Sequence, residues 1–205
     1  MIYESQAGFR KGYSTIDHIF VLKMLIDYYM CSRKKKLFCA FVDFEKAFDK
    51  VWRDGLWHKM LTNNITCKMW TLIKNMYQGI KSRIVHDNEI SAYFMCNNGL
   101  RQGENLSPFL FSLYLNDVED YFVMNDVIGL ENLNNDVRDT LGIYFKLFIL
   151  LYADDTVLIS ETQDGLQAVL NIFWNIAKHG NLDKRRKDKS SCIFKRKATK
   201  LYFQI

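Results

Sequence analysis

Leu147-Phe-Ile-Leu-Leu-Tyr-Ala-Asp-Asp-Thr-Val-Leu-Ile-Ser160 holds two apolar runs, 144–151 and 156–160, on either side of Asp154 and Asp155. Both runs are rich in β-favouring residues and the break between them is short. The pattern predicts a β-hairpin with two carboxylates at its tip. Two anions about 4 Å apart repel by roughly 4 kcal/mol at an effective dielectric of 20. A rigid hairpin tolerates that if a divalent cation sits there or if water solvates both. By itself Asp-Asp reads more plainly as a solvated turn, and the rest of the chain has to decide.

Upstream, Leu37-Phe-Cys-Ala-Phe-Val-Asp43 reads as a buried strand ending on a carboxylate, and Phe44-Glu-Lys-Ala-Phe-Asp-Lys50 as the helical turn after it. An acid there is costly unless paired or metal-bound; it can equally serve as a helix N-cap. Between this strand and the hairpin lies a loop at 98–108, then an apolar helix running to 122. A helix over 163–178 follows the hairpin, with Leu166, Val169, Leu170, Phe173 and Ile176 on one face. This order makes a workable βαββ unit of α+β class, an antiparallel sheet packed on helices. Folded so, Asp43 lies beside the hairpin tip and three carboxylates converge. Mg²⁺ prefers such oxygen ligands, and two ions roughly 3.5–4 Å apart suit phosphoryl transfer.

The remaining segments supply the frame. Ser14 and Asp17 make a capping-box-like start for a helix over 15–32, with Ile16, Ile19, Phe20, Lys23, Met24 and Tyr28 near helical spacing. Two helices are expected at 54–64, faced by Trp57, Met60 and Leu61, and at 66–79, faced by Met69, Leu72, Ile73 and Met76. Residues 82–86 and 90–96 predict a strand pair around the turn-forming Asp87-Asn88. Ser107 is suited to cap a helix with Pro108 at its first position. Residues 125–143 read as a polar loop, and short strands are expected at 192–194 and 201–205. The four histidines are isolated and read as ordinary core or surface residues.

A chain of 205 residues is one domain or one and a half, and at 49% hydrophobic and 15% aromatic it can bury a sizeable core. No apolar run reaches the length of a membrane span, and the N-terminal residues lack the pattern of a signal peptide. Five scattered cysteines without a Cys-x-x-Cys pair argue against a disulfide scaffold or a zinc site. A reducing intracellular compartment, cytoplasm and/or nucleus, fits best. The net charge of +5 is uneven: residues 181–200 hold nine Lys or Arg against two Asp. Such a segment is either solvated chain or a phosphate contact whose affinity falls with salt.

Four segments together resemble the reverse transcriptase domain of non-LTR (LINE-type) retrotransposons. Gln6-Ala-Gly-Phe-Arg-Lys-Gly-Tyr-Ser-Thr15 is similar to the block ahead of the catalytic strand in that family. Phe41-Val-Asp-Phe-Glu-Lys-Ala-Phe-Asp-Lys-Val51 looks like its first catalytic motif, and Gly99-Leu-Arg-Gln-Gly-Glu-Asn-Leu-Ser-Pro108 its dNTP-side loop. Tyr152-Ala-Asp-Asp155 looks like the signature hairpin. Each is a modest signal; the order and spacing of all four are specific, and the resemblance covers about residues 4–180.

The resemblance implies a polymerase palm with partial fingers. About 1–35 would be a fingers-side segment, about 51–106 a fingers-side insertion, and about 36–50 with 107–205 the palm. Fingers blocks ahead of residue 1 and a thumb after residue 205 would belong to a longer polyprotein. Asp43, Asp154 and Asp155 would be catalytic and hold two Mg²⁺ ions, or Mn²⁺, with the Phe44 backbone carbonyl assisting. Phe48 would be the steric gate that selects dNTP over NTP, and Gln102 and Gly103 would lie at the incoming nucleotide. Tyr152 would face the primer end; Arg101 would be a template contact or a surface charge. Lys187 or Lys189 would be a phosphate-side lysine. The implied partners are an RNA template, a DNA primer and dNTPs, without a membrane. The implied activity is RNA-directed DNA polymerisation. The alternative is an inactive remnant that binds nucleic acid through 181–200.

Overall fold

The computed structural model describes residues 5–125, 127, 130, 149–179 and 198–202. Most of the 125–143 loop, the N-terminal part of the first hairpin run, the expected strand at 192–194, and Lys187 and Lys189 lie outside the described residues. So does the basic stretch as far as residue 197.

The centre is a four-stranded antiparallel sheet. β1 (Phe38–Val42) pairs on one side with β7 (Asp155–Ser160) and on the other with β8 (Ala198–Tyr202), and β7 pairs with β6 (Ile149–Tyr152), giving the order β6-β7-β1-β8. The strands are apolar on both sides because both faces are covered. Ala40, Val42, Ile149, Leu151 and Leu158 join the larger core; Cys39, Leu150 and Ile159 join a smaller one on the opposite face. The α+β expectation holds, as do the hairpin and the strand leading to Asp43.

The larger core is closed by α2 (Arg53–Thr62), α4 (Leu106–Leu115), α5 (Val118–Met124) and α6 (Gln163–His179). The single apolar helix expected up to 122 is two, interrupted at Asn116 and Asp117. The break lies beside Lys59 of α2. Its ammonium donates to the Tyr114 carbonyl and meets Asp117 Oδ1 at 2.5 Å. Burial pulls the Lys59 pKa down, against the opposing pull of Asp117. Removing Asp117 would leave a buried cation without an anionic partner, facing only the Tyr114 carbonyl and ring. Asp117→Ala is therefore expected to cost about 3–5 kcal/mol, and the double change Lys59→Met with Asp117→Leu to recover most of it. Urea titration of the single and double variants checks this; equal losses in both would mean that the pair is not what holds the break.

Ser107 is not the cap of α4. The helix starts two residues earlier than expected, at Leu106 behind Asn105, and the Ser107 hydroxyl donates to the Arg101 carbonyl at 2.5 Å while lying 3.2 Å from the Tyr77 hydroxyl. That hydroxyl fastens a loop to a helix instead of capping one.

The smaller core is closed by α1 (Thr15–Asp27), which continues into a π-helical turn, Tyr28–Ser32. The capping box is as expected: Ser14 Oγ accepts from the Ile16 N–H, and Asp17 accepts from the Ser14 N–H at 2.6 Å. The expected apolar face is buried only at its C-terminal end, where Tyr28 is core and Met24 packs against it. His18, Val21, Leu25 and Tyr28 are buried, whereas Ile16, Ile19 and Phe20 are more than half exposed. The helix is apolar on two sides, so periodicity could not choose between them.

α3 (Cys67–Met76) likewise buries only Ile73 of its expected face; Met69, Leu72 and Met76 are exposed, as is Leu61 of α2. The helix is held to α2 at its edge, where the Trp70 indole N–H donates to the Trp57 carbonyl at 3.0 Å.

The expected strand pair at 82–96 forms as two short ladders. β2 (Lys81–Ser82) pairs with β5 (Phe94–Met95), and β3 (Val85–His86) with β4 (Glu89–Ile90). One extra residue on the returning strand offsets the two registers, as in a bulge. Asp87 and Asn88 both have positive φ, +45° and +66°, the signature of a tight two-residue turn.

Candidate active site

Strand register brings the acidic residues together. Val42 of β1 faces Thr156 of β7, so Asp43, one residue on, emerges beside Asp155. Tyr152 pairs with Asp155, leaving Ala153 and Asp154 as the two-residue turn. Ala153 has φ +57°, the left-handed value that such a turn demands of its first central residue and that a side chain resists.

Asp154 is half-buried, whereas Asp43 and Asp155 are exposed. Burial pushes the Asp154 carboxyl pKa above the usual range; a bond to its own backbone opposes this, and the charges of Asp155 and Asp43 add to it. The three acids are thus within electrostatic reach of one another. No group of three among the described residues is gathered tightly enough to hold an ion. The donor chemistry of the three acids, anionic oxygen throughout, fits a hard divalent cation.

The turn behind Asp43 is pinned by aromatic rings. Phe44 is buried, meeting Phe111 of α4 edge-on at 6.2 Å and Phe173 of α6 at 5.9 Å. Phe48 stacks on Phe111 at 4.9 Å and is only half-buried. One face of its ring is core; the remainder is open.

The loop carrying Gln102 and Gly103 is docked on the same turn. The Gly99 N–H donates to the Val51 carbonyl at 2.9 Å and the Leu100 N–H to the Phe48 carbonyl at 2.7 Å. A Cβ at Gly99 would lie 2.5 Å from the Asp49 carbonyl oxygen, so glycine is needed there. Gln102 is exposed, and its amide donates to Asp49 at 3.2 Å. Gly103 is exposed with φ +86°. Arg101 is engaged locally, bonding Glu104 at 2.7 Å and the Met76 carbonyl at 2.9 Å. Arg101 and Gln102 line an open cleft of about 890 Å³ together with Asp49, Lys81 and Cys96.

Three contributors were not singled out from sequence. Arg53, 9% exposed, donates to the carbonyls of Tyr77, Cys96, Asn98 and Gly99 and so anchors that loop. His18 is buried on α1 with its ring edge-on to Tyr152, centroids 6.5 Å apart, and burial lowers its pKa, against Asp17. Gln6, 2% exposed, contacts the hairpin tip itself. An arginine after a tryptophan or a glutamine in a loop carries no mark of what it will meet 46 or 147 residues away.

Comparison with known proteins follows the same lines. Residues 1–200 match the family described as reverse transcriptase (RNA-dependent DNA polymerase). The chain is 27% identical over 186 residues to the RNA-directed DNA polymerase from mobile element jockey of Drosophila funebris, covering 84% of this chain and 18% of that protein. It is 30% identical over 137 residues to the retrovirus-related Pol polyprotein from type-1 retrotransposable element R2 of Nasonia vitripennis, covering 67% of this chain and 12% of that protein. The chain thus spans less than a fifth of these relatives' length. Among solved structures, apo telomerase from Candida tropicalis, truncated from its C-terminal domain, superposes with a TM-score of 0.56 at 12% identity, over 98% of this chain and 36% of that one. That likeness concerns the fold. No helix among the described residues is long and apolar enough to cross a membrane.

Proposed function

The chain belongs to the reverse transcriptase family, and from that premise we propose that it is the palm-bearing part of an RNA-directed DNA polymerase of a mobile element. It would extend a DNA primer on an RNA template from dNTPs. The observation that carries the reading is the placing of Asp43 beside the Ala153–Asp154 turn, with Asp155 between them in register. Residues 36–50 and 107–205 would be palm, and 1–35 and 51–106 the fingers side.

Asp43, Asp154 and Asp155 would hold the divalent cations, Mg²⁺ or Mn²⁺, with the Phe44 carbonyl; bound there, they would supply Lewis-acid stabilisation of charge on the transferring phosphoryl group. The work of the chain's own residues is positioning and electrostatics, with no side-chain nucleophile. Phe44 fixes the backbone of Asp43 against α4 and α6. Phe48, held flat on Phe111, would meet the sugar and exclude a 2′-hydroxyl. Gln102 and Gly103 would border the nucleotide, and Tyr152 the primer end. Arg101 would act on the template side, if it leaves its bond to Glu104.

Primer extension on an RNA template, with and without Mg²⁺, tests the proposal. Mg²⁺-dependent extension is the expected result. A folded chain that does not extend would return the reading to a remnant that binds nucleic acid through its basic segment. Phe48→Ala tests the gate: the ratio of ribonucleotide to deoxynucleotide incorporation is expected to rise about tenfold or more, because differential sugar packing is lost. Some stability will be lost with the Phe111 stacking. An unchanged ratio would make Phe48 a core aromatic only.

A further inference from the structure

The edge of the sheet beside the acidic turn is not open. β6 is the edge strand, and residues 5–8 run along it. The Leu151 N–H donates to the Ser5 carbonyl at 2.8 Å and the Ala7 N–H to the Leu151 carbonyl at 2.9 Å, with Gln6 in a parallel bridge to Leu151. This strap ends directly on the turn. Gln6 Oε1 accepts from the Ala153 N–H at 3.0 Å and from the Gly8 N–H at 2.8 Å, and Gln6 Nε2 donates to the Ala153 carbonyl at 3.4 Å. A Cβ on Gly8 would stand 2.2 Å from the Ala153 nitrogen, so the strap presses on the turn as closely as glycine permits.

We propose that Gln6 and Gly8 form a clasp that holds the Ala153–Asp154 turn in its strained left-handed form, making Gln6 a positioning residue for Asp154 and Asp155. The inference rests on the polymerase reading for what the acids do, but not for the clasp itself. Ala153 holds φ +57°, which the two-residue turn demands but its side chain resists, so the turn alone keeps it there at a cost. The clasp adds to what the turn provides: both backbone polar groups of Ala153 are bonded to a single buried amide. A side-chain amide suits that task. It offers an acceptor and a donor on one planar group, and it is neutral, so it adds no further negative charge beside two carboxylates. Glutamate would keep the acceptor, surrender the donor and add an anion. Methionine would fill the same buried volume and offer neither bond.

Amide hydrogen exchange on the 205-residue chain, read residue by residue, tests the clasp without relying on activity. In the unaltered chain the Ala153 N–H is expected to exchange at least about tenfold more slowly than the Asn88 N–H at the tip of the other tight hairpin. Equal rates overturn the proposal, and this measurement needs no variant to fold. Gln6→Met is expected to raise Ala153 exchange by about tenfold or more while Ala40 and Leu158 in the sheet centre stay protected. A rise shared equally by all three, or no rise, overturns it. In primer extension, Gln6→Met is expected to lower kcat about tenfold with little change in KM for dNTP. Adding Ala153→Gly, which removes the strain, should restore much of the loss; no restoration overturns the positioning role. Absence of extension by the unaltered chain would count against the polymerase reading, while the exchange results would still decide the clasp.

Discussion

Asp154→Asn is expected to reduce Mg²⁺-dependent primer extension to below about one-thousandth while leaving the chain folded. Removal of a single preorganised electrostatic group from an active site costs about a hundred- to a thousandfold, and Asp154 would bear on both the nucleotide and the primer end. Stability moves the other way. Burial, and then the charges of Asp155 and Asp43, raise the Asp154 pKa, opposed only by a bond to its own backbone. A carboxyl raised in the folded state stabilises the fold below its ordinary pKa, and that contribution is lost as pH rises through the folded value. Near neutral pH the ionised group is therefore a cost that asparagine removes. A melting temperature equal to or above that of the unaltered chain, together with lost extension, is the expected pair of results. Retained extension would take Asp154 out of the mechanism, and a collapsed melting temperature would make the loss uninformative and the crowding argument wrong.

Arg53→Ala is expected to produce a large loss of stability, about 4 kcal/mol or more. The guanidinium spends its donors on four main-chain carbonyls at 2.8–3.1 Å and lies over the Tyr77 ring, 5.2 Å from its centroid. Burial lowers its pKa, but arginine stays charged in proteins. Alanine would leave those carbonyls in a part-buried place without a donor, and would free the segment from Cys96 to Gly99 that leads to Gln102 beside Asp49. Arg53→Lys should recover little, because an ammonium cannot span a fork of four acceptors. Urea titration gives the stability, and limited proteolysis near residues 96–104 gives the local effect. A loss under about 1 kcal/mol would mean that water replaces the guanidinium freely.

Both changes bear on the same arrangement, in which a strand end, a turn and a loop from distant parts of the chain are pressed together. Some of that arrangement was written locally. The alternation of apolar runs with Asp-Asp gave the hairpin and its tip; Ser14 with Asp17 gave the helix start; Asp87-Asn88 gave the tight turn. These are short-range effects, in which the residues that cause the structure are the residues that form it.

Sequence by itself determined the α+β class, the strand that leads to Asp43, the acidic hairpin, and, through four ordered motifs, the family. Tertiary structure alone decided which side of α1 and α3 is buried, because both helices carry apolar residues around more of their surface than the sheet or α2 can cover. It broke the expected single helix at Asn116 and Asp117, where a lysine from another helix takes up the acid. It also decided that Gln6, from the first described residues, bonds the turn at Ala153, and that Arg53 holds the loop from Cys96 to Gly99. Such side-chain bonds join residues far apart in the chain, and a polar side chain shows its partner only when folding has removed the water that would otherwise serve it.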